Sequence, residues 1–203
     1  MKVYELAEVI ARKAHHGQKR KISGDPYIIH PMRVFIAAQK YTIIYDDALA
    51  AAWLHDVLED TDVSEKDLLR QGISERAVNI VKWLTKPEGK GLKRFERKYR
   101  YFDRLRMAPA IVMVLKLLDR LDNMSDIKDQ EPDFQRLYAM ESIWMAESML
   151  HFLGVSDMEE LAQHLSDRVV LLSRKVLKEN GYSAVVERNL LPLSQYKGVE
   201  SPK

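Results

Sequence analysis

The 203-residue chain can bury the core of one domain, or of one domain with a helical appendage, and its lack of cysteine excludes disulfides, thiolate zinc sites and cysteine nucleophiles. Residues 1–5 carry no apolar signal core and the longest uncharged apolar run, Met107 to Leu115, is too short for a bilayer, so a cytoplasmic protein with no membrane partner is expected. The net charge of +2 hides two basic segments: Arg12 to Lys21 has five basic residues and no acid, and Lys86 to Arg106 has nine against three acids, which reads either as solvated faces or as a grip on an anion.

Val3, Leu6, Ala7, Ile10, Ala11 and Ala14 recur at helical spacing, so the chain should open with an amphipathic helix ending near Gly17. A loop rich in Gly, Ser, Asp and Pro follows. His30-Pro31 then opens a helix with proline at its first position, and Asp46 is placed to cap the next, which should run through Trp53 into His55-Asp56-Val57-Leu58-Glu59-Asp60. Ser64 and Ser74 read as caps, the second for a helix stopping before Lys86-Pro87. Residues 87–91 have the composition of a mobile loop, residues 92–106 read as a polar helix, and an apolar helix from Ala110 to Leu118 should deliver Asp119 to a polar end. From Pro132 a long helix is expected to about Leu153 with Gly154 as its cap, and Ser156 to Glu159 is a capping box for a last helix ending at Asn180-Gly181. Met140, Ile143, Trp144, Ala146 and Met149 read as a packing stripe. No strand signal appears, so the fold should be all-α: a helical bundle over 1–150, a helical extension over 151–203, and a loose tail after about 190.

Carboxylates are rarely buried unpaired, so an Ala-rich core helix that delivers His55, Asp56, Glu59 and Asp60 points to a divalent cation. His30 and Asp119 complete a candidate ligand set of His30, His55, Asp56 and Asp119. Two nitrogens and two oxygens with room for water suit an octahedral ion such as Mn²⁺ or Fe²⁺ better than a closed zinc site. Such an ion acidifies water and neutralises phosphoryl charge, and Glu59 and Asp60, one turn from two ligands, could orient or deprotonate the attacking water. A polyphosphorylated ligand would need cations remote from the metal. Arg20 and Lys21 from the first basic segment, with Lys90, Lys93 and Arg94 from the second, are the candidates.

The order His30-Pro31, His55-Asp56-Val57-Leu58-Glu59-Asp60-Thr61 and Lys116-Leu117-Leu118-Asp119-Arg120-Leu121-Asp122-Asn123-Met124 resembles the HD superfamily of metal-dependent phosphohydrolases. With the loop from Gly17 to Pro31, it is similar to the hydrolase domain of the RelA/SpoT family over about residues 4–150. The resemblance implies an HD-domain helical bundle and Mn-dependent removal of the 3′-pyrophosphate from guanosine tetra- and pentaphosphate. By position it assigns His30, His55, Asp56 and Asp119 to the metal, Glu59 and Asp60 to the water, Arg20 and Lys21 to the nucleotide, and Asn123 to the sugar or its phosphate. It also implies a small stand-alone alarmone hydrolase, without a synthetase half. Ile22 adds a residue between the basic pair and Ser23-Gly24, and Asp122 stands where a histidine or tyrosine is frequent.

Two other readings compete. An HD protein could act on adenosine alarmones or another nucleotide, and residues 86–106 could instead grip nucleic acid in a non-catalytic module, the weaker reading because every ligand position is filled. Self-association is left open.

Overall fold

The computed structural model describes residues 2–21, 23–87, 91–150 and 156–182. Among these residues there are only helices, turns and one isolated bridge pairing Lys19 with Pro26, and no helix is long and apolar enough to cross a membrane.

The element that organises the bundle is α3 (Asp46–Leu54), in which every residue from Ala48 to Leu54 is buried. Its alanines present little more than backbone, which lets neighbours approach closely from several sides. On it pack α1 (Val3–Ala14), α2 (Ile29–Lys40), α6 (Glu75–Leu84) and α8 (Ala110–Ser125). The α1 helix buries Ala7, Ile10 and Ala11 as its periodicity requires. Trp53 of α3 stacks on Phe35 of α2, with ring centroids 5.1 Å apart.

Four local expectations are corrected. Helix α2 begins at Ile29, so His30 and Pro31 are its second and third residues; proline fits there because first-turn N–H groups have no helical acceptor. Tyr45, without a side-chain bond, is the N-cap of α3, and Asp46 is its first residue, favourable to the helix dipole without capping it. The helix does not run unbroken into the acidic cluster: α3 ends at Leu54, the chain kinks at His55-Asp56, and the single turn α4 (Val57–Asp60) follows. Its amides still reach back, with Asp60 N–H donating to the Asp56 carbonyl at 2.8 Å. Finally, α8 continues to Ser125, so Asp119, Asp122 and Asn123 lie on one helix at i, i+3 and i+4, a shared face.

Ser64 caps α5 (Glu65–Arg70) and Ser74 caps α6, each accepting from a backbone amide three residues on. The basic segment forms α7 (Arg94–Leu105), which is amphipathic: Tyr101, Phe102 and Leu105 are buried. Tyr101 Oη donates to the Leu84 carbonyl at 2.5 Å and Arg104 Nη2 to that of Trp83 at 2.8 Å, so α7 supplies donors to the orphan carbonyls at the end of α6. After a 3-10 turn (Ile127–Asp129) come α9 (Pro132–Leu150) and α10 (Asp157–Glu179). The stripe on α9 is core, with Met140, Ile143, Ala146 and Met149 buried and Trp144 packed against Phe102. Helix α10 lies against α8 and α9, and its Ala162, Leu165 and Val169 join the central core. Its capping box forms and Gly181, at φ +84°, terminates it. The expected Gly154 cap and the tail after 190 lie outside the described residues.

Candidate metal centre

The kink after α3 turns His55 and Asp56 toward the second residue of α2 and the middle of α8. His55 Nδ1 lies 2.9 Å from the Ala52 carbonyl, and His30 Nδ1 lies 2.7 Å from Asp122 Oδ2. Both partners accept only, so each Nδ1 carries the proton and each Nε2 points inward. The two Nε2 atoms are 3.1 Å apart. With both rings neutral, two lone pairs would face each other at that distance, so the centre requires positive charge.

Carboxylates close around the pair. Asp56 Oδ2 lies 3.0 Å from His55 Nε2 and 3.6 Å from His30 Nε2, while Asp119 Oδ1 lies 3.1 Å and 3.8 Å from His30 and His55 Nε2 respectively. Two ligands at right angles, each about 2.1 Å from one ion, are about 3 Å apart, which is the spacing of the shorter pairs. The donor set fits a divalent ion. Burial disfavours a charged imidazole at His30, yet Asp119 and Asp122 outweigh it and raise its pKa to about 9. Burial likewise opposes ionised Asp56 and Asp119, but His55 holds the first, and Lys116 and His30 the second, well below the usual carboxylate range. A proton on His30 is the least charge that satisfies this centre; a divalent cation is the fuller answer.

The surrounding residues hold these groups in place. Tyr27 Oη bonds to Asp56 Oδ2 at 2.5 Å and lies 3.1 Å from Asp60 Oδ2; burial and then Asp56 push its pKa up, so it remains a donor. Lys116 Nζ donates to Asp119 Oδ2 at 2.6 Å, and Asn123 Nδ2 to Asp119 Oδ1 at 2.6 Å. Burial, followed by the charges of Asp56 and Glu59, raises the pKa of Asp60. Glu59 faces outward and accepts from Lys86 Nζ at 2.6 Å.

Of the nucleotide candidates, Arg20 is buried and donates to Asp126 Oδ2 at 2.8 Å and to Asn123 Oδ1 at 3.3 Å, so it meets Asn123 beside Asp119. Lys21 lines the cavity of about 570 Å³ over the metal centre and also the adjoining groove of about 1040 Å³ between α4, α6 and α7. That groove carries Lys82, Lys86, Arg94, Arg97, Lys98 and Arg104 against Glu59 and Glu65. Arg94 is not free in it: its guanidinium binds Glu141 through Nε at 2.9 Å and Nη2 at 3.0 Å. Lys90 lies outside the described residues. Sequence reasoning missed Tyr27, Lys116, Lys98, Arg120 and the part played by Asp122. The one available signal was Asp122 itself, an acid three residues from a proposed ligand on a helix.

The family profile described as "HD domain" matches residues 7–145. The chain is 34% identical over 180 residues to a guanosine-3′,5′-bis(diphosphate) 3′-pyrophosphohydrolase of Vibrio cholerae, covering 84% of this chain and 24% of that protein. It is 32% identical over 185 residues to the bifunctional (p)ppGpp synthase/hydrolase SpoT of Escherichia coli, covering 89% of this chain and 25% of that one. The chain thus spans about a quarter of the length of these relatives. A solved structure described as a metazoan ortholog of SpoT that hydrolyses ppGpp superimposes with a TM-score of 0.66 at 22% identity, over 88% of this chain and 96% of the other, and so shares the all-α fold. With the family profile covering the segment that carries the two imidazoles, Asp56 and Asp119, the chain belongs to the HD-domain family.

Proposed function

We propose that the chain hydrolyses the 3′-pyrophosphate of guanosine tetra- and pentaphosphate, giving GDP or GTP and pyrophosphate, with Mn²⁺ at His30, His55, Asp56 and Asp119. The observation that carries this reading is the pair of inward Nε2 atoms 3.1 Å apart, buried against Asp56 and Asp119, which line a cavity that adjoins a basic groove. A divalent ion held there supplies charge against phosphoryl oxygens and acidifies water. The remaining work falls to the chain. Asp60, with its raised pKa, and Glu59 stand one turn beyond the kink to take a proton from the attacking water. Tyr27 fixes the Asp60 and Asp56 carboxylates relative to each other. Arg20, Lys21 and Asn123 border the nucleotide end, and the groove between α6 and α7 offers Lys86, Arg94 and Arg97 to the remote phosphates. The named relatives support the substrate class.

The catalytic unit is proposed to end near residue 150, since the family match ends at 145, with α10 as a packed extension, and a cytoplasmic location belongs to the same reading. The test is release of pyrophosphate versus orthophosphate from a panel of guanosine and adenosine polyphosphates with Mn²⁺. Pyrophosphate from the 3′-pyrophosphorylated guanosine nucleotides is expected; orthophosphate alone, or no turnover, overturns the proposal.

A further inference from the structure

Core packing fixes the start of α4 but not its end: Val57 is its one buried residue, and Asp60 closes the turn at the surface. A helix of one turn has little stability of its own, and its last carbonyls have no amide of the same helix to bond. The loop between α1 and α2 supplies what is missing. His15 is the C-cap of α1 and is buried, and Gly17, at φ +78°, turns the chain so that the Gln18 amide reaches the His15 carbonyl at 3.1 Å. The side-chain amide of Gln18 then fits in one orientation only. Its Nε2 donates to the Asp60 carbonyl at 2.8 Å, so its Oε1 faces His15 Nδ1, also at 2.8 Å, and accepts the imidazole N–H. The same loop holds the other end of Asp60. Tyr27 N–H donates to the Gln18 carbonyl at 2.9 Å and Lys19 pairs with Pro26, which ties the two arms of the loop together. The Tyr27 ring packs on His15 with centroids 4.8 Å apart, and its hydroxyl reaches Asp60 Oδ2 at 3.1 Å. His15 Nε2 is buried without a hydrogen-bond partner among the described residues, so the imidazole works only through its Nδ1–H and its face.

We propose that Gln18 and His15 are positioning residues for the hydrolysis: through the Asp60 backbone they set where the Asp60 carboxylate stands relative to the attacking water. The inference rests on the proposed hydrolase reading, in which Asp60 takes a proton from that water, and adds to it two residues outside the metal-ligand set. Gln18 lines the cavity over the metal centre, but its oxygen and its nitrogen are both engaged, so it serves Asp60 and not a ligand. His15 acts one step further back, holding the Gln18 amide in register and backing the Tyr27 ring. A carboxylate must lie within hydrogen-bond reach of the water it deprotonates, so a shift of the α4 end by about 1 Å is enough to slow the reaction while leaving the imidazoles and Asp119 where they are.

Gln18→Ala, at a half-buried position, tests this on the full chain by two measurements: hydrogen exchange of the Glu59 and Asp60 amides without substrate, and turnover of guanosine tetraphosphate with Mn²⁺. Faster exchange at both amides is expected, with kcat lower by about 10- to 100-fold and KM and Mn²⁺ affinity unchanged. In an Asp60→Asn background the same change should cost less than about twofold, because nothing is left to position, whereas a general loss of stability would lower kcat in both backgrounds alike. His15→Asn, which keeps an N–H near the place of Nδ1, should retain more of kcat than His15→Leu; equal loss in the two overturns the part given to His15. Unchanged exchange at Glu59 and Asp60, or an equal loss of kcat in both backgrounds, overturns the brace. Exchange is read without turnover, so faster exchange in Gln18→Ala of a chain that does not hydrolyse the tetraphosphate would sink the proposed activity alone, and hydrolysis unaffected by Gln18→Ala would sink the brace alone.

Discussion

The Asp122 carboxylate accepts the Nδ1–H of His30 at 2.7 Å, so an acid on α8 decides which nitrogen of an imidazole on α2 faces the metal centre. Asp122→Ala should let the ring turn and change tautomer, weakening Mn²⁺ binding about 10- to 100-fold. Asp122→Asn, which can still present an oxygen, should lose less. Calorimetric Mn²⁺ affinities order the three proteins; equal affinities would mean that the α2 backbone alone fixes the ring.

Asp119→Ala should lose metal and activity together. It should also lower the melting temperature, because Lys116 Nζ, bonded to Asp119 at 2.6 Å, would remain buried and unpaired. Full activity in metal-depleted Asp119→Ala protein would end the metal-hydrolase reading.

Glu59→Gln and Asp60→Asn each preserve shape and remove a basic oxygen. The variant lacking the true proton acceptor should keep Mn²⁺ and substrate affinity and lose about 10²- to 10⁴-fold in kcat. Loss of metal from Glu59→Gln would instead make Glu59 a structural partner, with Lys86 as its anchor.

Arg94 and Arg97 line one groove but differ in what else they hold. Arg94→Ala strips the bidentate partner from buried Glu141, so KM should rise and the melting temperature fall. Arg97, without an ion pair among the described residues, should change KM alone, by about fivefold or less, and less at high salt. An unchanged KM for both at low and moderate ionic strength would show that the second basic segment is merely solvated.

Lys98 supplies a pH dependence of stability. Burial and then the charge of Arg120 lower its pKa from 10.5 to about 7, with Lys86 and Arg94 adding to the effect and Glu141 opposing it. Below pH 7 both folded and unfolded chains carry this proton and the folded state bears the full penalty. From about 7 to 10.5 the unfolded chain binds more protons, so stability rises with pH. Ligand-free Lys98→Met should therefore melt above the wild type at pH 6, with the gap narrowing as pH rises through 7. A gap independent of pH would place the stabilisation in packing.

Much of this was legible in the chain because it rests on local rules: caps at Ser64 and Ser74, the Ala-rich run before His55, the packing stripe on α9, and the metal-ligand candidates that the fold gathers from three segments. What was not legible depends on tertiary partners. Nothing near Arg94 in sequence announces Glu141, since the contact joins α7 to α9. The kink at Asp56 breaks a pattern that reads as continuous helix, because the site needs His55 and Asp56 aimed together, which uninterrupted helical spacing does not give neighbouring residues.

The bond from His55 Nδ1 to the Ala52 carbonyl ties a proposed ligand to a helix with no exposed side along its alanines. Replacing Ala50 or Ala51 by valine would force α3 away from a neighbour, and His55 would move with it. With His55 as a ligand, ion affinity would thus double as a gauge of how well the bundle is packed. The coupling would run both ways: an ion held at the proposed ligands of α2, the α3–α4 kink and α8 would cross-link distant parts of the chain, adding about 2.7 kcal/mol to folding at a hundred times its dissociation constant.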